Sequence, residues 1–593
     1  MVLHNEQIAE CFDEWADLLA LSEANRFRIG AYQRAAQVIR ALPDELHEKL
    51  ATGFDPDTLP GIGPDLAGKI RDLAIRGTCR ELEKLRKAVP AGLRDLLTVP
   101  NIGAHRARKL YDALQVHDLP SLRAALESHR VRDVPGFGPA SERQLLNALA
   151  RLVPQAGRRR RDAVAADVVR INDYLAALPG VSRVEIAGSY RRGCETVGDL
   201  DFVVCAQAPI DINRALAHYA DTASSLAAGP TRSSVLLRSG LQVDVRVVPP
   251  ESFGAALYYF TGSKSHNVHL RRMSLARGLK INEYGVFRGT QQVAGATEAS
   301  VFGSVDLPFI PPELREDRGE LEAAQSGRLP VLVERSQLRG DLHVHTERTD
   351  GTASFSDMAA AAQRAGLSYI AITDHSKHLG ALHGLDATAL ARQIDEIDAH
   401  NDGHADFTIL KGVEVDVLKD GTLALPDAIL ARLDVVVAAV HSSFDLARRS
   451  QTNRLLRMLD QRYVSILAHP TTRLLGERLP LQCDWAKIFQ RASARPCYME
   501  LNAQPARLDL DDVLVREAAG NGILISIATD AHSTRDFDYL EAGILQARRG
   551  WLTPGQVLNT RPASELRKLL SRASGSRGPC AAPPVAGSSG GQR

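Results

Sequence analysis

The chain has little cysteine, no long apolar run and almost no net charge. Its seven cysteines (Cys11, Cys79, Cys194, Cys205, Cys483, Cys497 and Cys580) form no Cys-x-x-Cys pair and no even framework, which argues against a disulfide scaffold and for reduced thiols. No stretch approaches the roughly 20 uninterrupted apolar residues of a membrane span. The opening Met1-Val2-Leu3-His4-Asn5-Glu6 lacks the basic region and apolar core of a signal peptide. A cytoplasmic protein with no membrane partner is therefore expected. The net charge of +1 excludes no nucleic-acid partner, because a basic DNA-gripping part can be offset by an acidic metal-binding part. A length of 593 residues suggests about four domains of roughly 150 residues each.

The densest chemistry lies between Gly188 and Asp201. Val184-Glu185-Ile186-Ala187 reads as a strand that turns at Gly188-Ser189, where backbone N–H groups and a hydroxyl can meet a phosphate without Cβ hindrance. Arg191 and Arg192 add charge that does not titrate near neutrality. Asp199-Leu200-Asp201 opens a second strand, whose period puts both carboxylates on one face. A third carboxylate, Asp244, sits in the alternating run Gln242 to Val248, which can lie beside that strand. Taken singly, a Gly-Ser turn or an Asp-x-Asp is an ordinary turn or cap. Together they describe a two-metal phosphoryl-transfer site.

These residues resemble the nucleotidyltransferases of DNA polymerase family X, the polymerase beta relatives. The resemblance implies attack of a primer 3′-hydroxyl on a dNTP, with Asp199, Asp201 and Asp244 holding Mg²⁺ (or Mn²⁺) and Gly188, Ser189 and Arg192 holding the β- and γ-phosphates. It extends to Tyr258-Tyr259-Phe260-Thr261-Gly262-Ser263. There Tyr259, Phe260 and Gly262 take the place of the family's sugar-selecting aromatic turn, and Asn267 and Arg271 fall where the family probes the nascent pair and the template. A further family arginine near the triphosphate corresponds to one of Arg158 to Arg161.

Before this module, residues 1–153 read as helical. Ile8, Phe12, Trp15, Leu18 and Leu19 make one apolar face. Three segments then repeat one design: Leu59-Pro60-Gly61-Ile62-Gly63, Val99-Pro100-Asn101-Ile102-Gly103 and Val134-Pro135-Gly136-Phe137-Gly138. Each precedes a helix and aims N–H groups at an anion. They resemble the helix-hairpin-helix motif, which grips the DNA backbone without reading bases, through Gly61, Gly63, Gly103, Gly136 and Gly138. Asn101 replaces the first glycine of the second copy and is expected to weaken its grip. The same resemblance puts Lys69 at the family's deoxyribose-phosphate lyase nucleophile, with Tyr32 beside it. Asp65 and Arg28 stand where the family has lysines, and an acid near Lys69 raises its pKa and opposes that chemistry.

After residue 312 comes a charged, Pro- and Gly-punctuated stretch, read as a joint over 313–336 that leaves the two halves free to move independently. From 337 to 572, strand-like and helix-like runs alternate, as in a parallel barrel whose strand ends gather catalytic residues. His343, His345, His375, Glu414, His441 and His469, with Asp530 and His532 just beyond the last run, lie at or near such ends, and Asp350 lies in a Thr-Asp-Gly turn. Nine imidazole and carboxylate ligands suit three divalent ions, Mn²⁺, Zn²⁺ or Fe²⁺, if one carboxylate bridges. Order and context resemble the PHP (polymerase and histidinol phosphatase) domain. The resemblance implies one ion on His343, His345, Glu414 and Asp530, a second on Glu414, His441 and His469, and a third on Asp350, His375 and His532.

The expected architecture is a multidomain α/β chain. It comprises a helical DNA-binding region (1–153), an α+β nucleotidyltransferase palm (154–250), a nucleotide-closing subdomain (251–312), the joint, a distorted TIM-like (β/α)7 PHP barrel (337–572) and a Gly/Ser/Pro/Ala-rich tail expected to be disordered. The expected function is a monomeric, gap-filling repair polymerase on gapped or primer-template DNA. It carries its own 3′–5′ exonuclease, which in some relatives also cuts at abasic sites. The alternative is a PHP phosphoesterase whose front end has become a catalytically weak DNA-binding module.

Overall fold

The computed structural model describes residues 5–575 apart from 23, 41, 43–45, 52, 91, 100–101, 140, 144, 147–157, 207–210, 230, 378–383 and 404–405. Asn101 and most of the tail, including Cys580, thus lie outside the described residues. The chain divides into two compact units, Met1–Ala156 and Gly157–Arg593.

In the first unit, the helices Asn5–Leu21 and Arg26–Arg40 pack through Ile8, Phe12, Trp15, Leu18 and Leu19, all buried as their spacing requires. The three hairpins close identically: the N–H of Ile62 donates to Leu59 O, that of Ile102 to Val99 O and that of Phe137 to Val134 O. Each of these apolar residues is buried, so one side chain pins each turn against the helical core. Gly61 and Gly136 have φ of 75° and 91°, which a β-carbon would strain.

The second unit opens with a five-stranded sheet in the order Val181–Ile186, Asp199–Ala206, Gln242–Val248, Arg232–Leu237, Thr222–Ala228. The helix Ala165–Ala176 covers it with Val168, Ile171 and Leu175. The helices Phe253–Thr261 and Lys264–Leu275 and a three-stranded sheet follow, around Tyr258, Phe302 and Leu270.

Residues 340–575 form a parallel barrel. Gly340–Val344, Tyr369–Ile372, Thr408–Asp416, Val435–Ala439, Ile466–Leu467, Tyr498–Asn502 and Ile525–Ala528 stand side by side in chain order. A parallel bridge between Val344 and Ala531, with His345 N–H donating to Ala531 O at 2.8 Å, ties the first strand to the residues just after the last. This is the parallel barrel expected from the alternation, with the seven strands that the PHP resemblance implied. Among the described residues no helix is long and apolar enough to cross a membrane.

The stretch 313–336 is not the free joint expected. Its charges are paired across to the barrel: Glu313 with Arg548 at 2.7 Å, Glu316 with Arg549 at 2.9 Å and Arg318 with Asp512 at 2.9 Å. Its apolar residues divide between two cores, Leu314, Leu321, Ala324 and Leu332 entering the closing subdomain and Val333 the barrel. Irregular spacing hid the apolar anchors, and charges that read as solvated are held by partners more than 190 residues away.

Candidate functional site

Two clusters of metal-ligating side chains stand out. The first is built on the palm sheet, where Asp199–Ala206 runs parallel to Gln242–Val248 with Asp201 opposite Asp244. That register and the two-residue strand period bring ligand atoms of Asp199, Asp201 and Asp244 within 4.8 Å of one another. Burial, with the charges of Asp199 and Asp244, pushes the Asp201 carboxyl up to about 7, and burial with the Asp244 charge raises Asp199. Three such carboxylates repel unless a cation lies between them, so the donor set fits Mg²⁺ or Mn²⁺. Asp244 is aimed by hydrogen bonds from Ser234 Oγ and from Gln242 Nε2, the latter at 2.7 Å.

The Gly-Ser turn abuts these acids. Gly188 has φ 59°, and a Cβ there would lie 2.2 Å from Asp201 Oδ2. Ser189 Oγ is buried without a hydrogen-bond partner. Arg191 and Arg192 diverge. Arg191 grips Glu298 at 2.6 Å, which also holds the fully buried Arg315, so its charge serves packing. Arg192 stays at the turn, donating Nη1 to Thr261 O at 2.6 Å and Nε to Glu316 at 3.0 Å. Of the basic run, Arg158 donates to Thr196 O and is near enough to Asp199, Arg192 and Glu195 to feel their charges. Arg159 reaches Ser239 O, Arg160 pairs with Asp162, and Arg161 stacks on Tyr190 at 3.6 Å.

Tyr259 and Phe260 meet edge to face at 5.1 Å, with Arg271 over Tyr259 and Arg246 over Phe260. Gly262 ends their helix at φ 70°. Asn267 is buried and braces this turn, donating Nδ2 to Tyr259 O at 2.7 Å while its Oδ1 has no partner.

The second cluster lies at the C-terminal ends of the barrel strands and centres on Glu414. One carboxylate oxygen faces His441 Nε2 at 3.2 Å and His469 Nε2 at 3.0 Å. The other faces His343 and His345 Nε2 at 3.5 and 3.6 Å and His375 Nδ1 at 2.8 Å. Asp530 Oδ1 lies 3.6 Å from His343 Nε2 and 3.2 Å from His345 Nε2, and Asp350 Oδ2 lies 3.2 Å from His375 and 3.3 Å from His532. His375 lies between the groups, beside Glu414 and His441 on one side and Asp350 and His532 on the other. Burial would depress these imidazoles, but Glu414 lifts His375 to about 11, and Glu414 with Asp416 lifts His441 to about 9. The carboxylates thus draw positive charge into the barrel mouth. His343 Nε2, His345 Nδ1 and His469 Nδ1 are buried without hydrogen-bond partners. Imidazole and carboxylate donors arranged in this way fit transition-metal or Mn²⁺ ions.

Sequence reasoning missed the groups behind these ligands. Glu500 accepts from His343 Nδ1 at 2.7 Å and Asp416 from His441 Nδ1 at 2.9 Å, fixing which nitrogen faces the cluster. Asp374 accepts from Thr346, Thr349 and Gln393, tying the loop that bears Asp350. The available signal was a carboxylate inside an otherwise apolar strand, as in Cys497-Tyr498-Met499-Glu500-Leu501. Arg507 was also missed: its Nε stands 3.7 Å from Asp530, and Nε and Nη1 make no hydrogen bond.

In the first unit, Gly63 and Gly103 cap their helices at φ of −93° and −89°, accessible to any residue, and a Cβ on either would meet nothing within 4 Å. Neither conformation nor internal packing requires glycine there. Lys69 Nζ lies 2.5 Å from Asp65 and over the rings of Trp15 and Tyr32. Burial would lower its pKa, but Asp65 and Tyr32 outweigh that and raise it.

Comparison with known proteins matches a helix-hairpin-helix domain over residues 3–79 and a SAM-like helix-hairpin-helix tandem over 93–151. It also matches a DNA polymerase beta thumb over 256–316 and a PHP domain over 341–502. The chain is 36% identical over 574 residues to the DNA polymerase/3′-5′ exonuclease PolX of Bacillus subtilis, covering 96% of the chain and all of that protein. It is 23% identical over 370 residues to human DNA-directed DNA/RNA polymerase mu, covering 53% of the chain and 69% of that relative. A probable phosphatase of Thermoanaerobacter sp. is 27% identical over 237 residues, covering 37% of the chain and 89% of that relative.

Proposed function

The chain belongs to the bacterial family-X DNA polymerases that carry a C-terminal PHP domain, enzymes with polymerase and 3′–5′ exonuclease activity, and from that premise we propose how it divides the work. Extension of a primer by dNTPs takes place at Asp199, Asp201 and Asp244, and removal of 3′ nucleotides at the barrel mouth. The substrate is gapped DNA gripped through the helix-hairpin-helix glycines, and the enzyme is a cytoplasmic monomer.

The observation that carries this reading is that both donor sets converge and are electrostatically incomplete without cations, the Asp201 carboxyl near 7 in one and the unpartnered atoms around Glu414 in the other. Asp199, Asp201 and Asp244 would hold Mg²⁺ or Mn²⁺, and the nine barrel ligands three ions of Mn²⁺, Zn²⁺ or Fe²⁺. When bound, such ions neutralise phosphate charge and polarise the reacting oxygens. The chain's own residues do the rest. Ser189 Oγ, Arg192 and Arg158 receive the triphosphate, and Gln242 and Ser234 keep Asp244 in register. Tyr259 and Phe260 form an aromatic floor against the sugar, and Arg271 stands behind it toward the template. In the barrel, Glu500 and Asp416 orient His343 and His441, and Arg507 offers free donors to a phosphodiester beside Asp530. Protonated Lys69 is a phosphate contact rather than a Schiff-base nucleophile at neutral pH.

The test is a labelled primer bordering a short gap with a 5′-phosphate, incubated with Mn²⁺ with and without dNTPs. Extension with dNTPs and shortening without them is expected. Shortening alone would return the chain to the phosphoesterase reading with a weak polymerase module.

A further inference from the structure

The palm and the barrel meet at the turn that follows Arg192. Arg549, the last residue of the barrel helix Leu540–Arg549, donates Nη1 to the main-chain carbonyl of Arg192 at 2.9 Å and to Glu316 Oε1 at 2.9 Å, and Nη2 to Asp512 at 2.7 Å. Leu545 of the same helix lies 3.4 Å from where a Cβ on Gly193 would stand, and Arg473 of the barrel holds Glu195 at 2.7 Å. The barrel thus anchors the backbone on which Arg192 sits.

Glu316 serves two guanidinium groups with one oxygen. Oε1 accepts from Arg192 Nε at 3.0 Å and from Arg549 Nη1 at 2.9 Å. Burial would raise the Glu316 pKa, but Arg192 and Arg549 hold it below the usual carboxylate range, so it is ionised. Arg192 also commits Nη1 to Thr261 O. Arg192 Nη2 has only a 3.9 Å contact with Cys194 Sγ, but for the whole guanidinium to turn toward a triphosphate Nε must leave Glu316, and that carboxylate is the competing anion. A half-buried carboxylate stripped of its only cation is costly. Arg549 removes that cost, because Glu316 keeps a cationic partner while Arg192 turns away.

We propose that Arg549 is a positioning residue for the polymerase reaction: from the barrel it retains Glu316, so that the Arg192 side chain can exchange Glu316 for the incoming triphosphate. The proposal rests on the reading of Arg192 as a triphosphate contact. It makes the barrel a structural part of the nucleotide site rather than only a second enzyme on the same chain.

The experiment uses the full chain and measures KM for dNTP and kcat on a primer-template, with exonuclease activity in the absence of dNTP as the fold control. Arg549→Met keeps the apolar stem and removes the charge. It is expected to raise KM about tenfold with kcat changed less than about twofold, the signature of lost nucleotide binding. Arg549→Lys is expected to recover part of the loss. Arg549→Met combined with Glu316→Gln is expected to return KM close to wild type, because the competing carboxylate is gone. A purely structural contact would lower kcat and exonuclease activity together, and Glu316→Gln would not rescue it. An unchanged KM in Arg549→Met, or failure of rescue by Glu316→Gln, overturns the proposal. Arg192→Met run in parallel separates the two levels. A raised KM there with none in Arg549→Met sinks only the role of Arg549, whereas an unchanged KM in Arg192→Met sinks the reading of Arg192 beneath it.

Discussion

Gly188 is decided by a single distance. Its φ of 59° already favours glycine, and a Cβ would stand 2.2 Å from Asp201 Oδ2, so any side chain must push a proposed metal ligand aside. Gly188→Ala is therefore expected to lower primer extension by about 100-fold, the scale of a 1 Å misplacement at a reacting centre, while exonuclease activity persists. Extension at wild-type rate would show that Asp201 tolerates displacement. Lys69 illustrates the opposite dependence, on charge rather than space. Asp65 holds it above the ordinary lysine pKa, so Asp65→Asn is expected to lower that pKa and increase borohydride trapping on DNA bearing a 5′-deoxyribose phosphate. Unchanged trapping would mean that Asp65 is not what keeps the amine protonated.

Among elements, the Tyr498–Asn502 strand shows how a barrel wall tunes a ligand it does not itself supply. All five residues are buried, yet Glu500 accepts from His343 Nδ1 and from His469 N–H. Glu500→Gln weakens the bond that orients His343 and lowers its basicity. The expected result is about a 10- to 100-fold loss of metal affinity at the barrel, read by titration of Mn²⁺ or Zn²⁺, with primer extension unaffected. Undiminished affinity would confine Glu500 to packing. Most elements were legible from pattern. The stripe Val168, Ile171 and Leu175 and the three hairpins appear where periodicity and repetition put them. The segment 313–336 was not, because its apolar anchors serve two different cores and so keep no single period.

Across the whole molecule, the two centres draw on disjoint residues, one on the open palm sheet and one at the mouth of a closed barrel. Asp199→Ala with Asp201→Ala is expected to abolish extension and spare degradation, and His343→Ala with His345→Ala to do the reverse. Both are measured on the same labelled primer. Loss of both activities in either variant would mean one shared centre. The contacts of Glu313, Glu316 and Arg318 with the barrel make separability of chemistry compatible with a shared frame.

The sequence by itself carried the candidate ligand types, their order and the strands that bear them, because strand period and turn chemistry are local and the three aspartates and nine barrel imidazoles and carboxylates stand at legible positions. It also carried the repeated hairpins, whose geometry depends on five adjacent residues each. Only the tertiary structure decided which of Arg158 to Arg161 comes within range of the Asp199 charge, that Arg191 is spent on Glu298 while Arg192 remains at the turn, and that Glu500 and Asp416 back the histidines. It alone joined Arg549 to Glu316. Each of these is a contact between residues tens to hundreds of positions apart, set by which strands pair and where a helix docks. No local pattern of charge or hydrophobicity encodes the partner of a buried arginine.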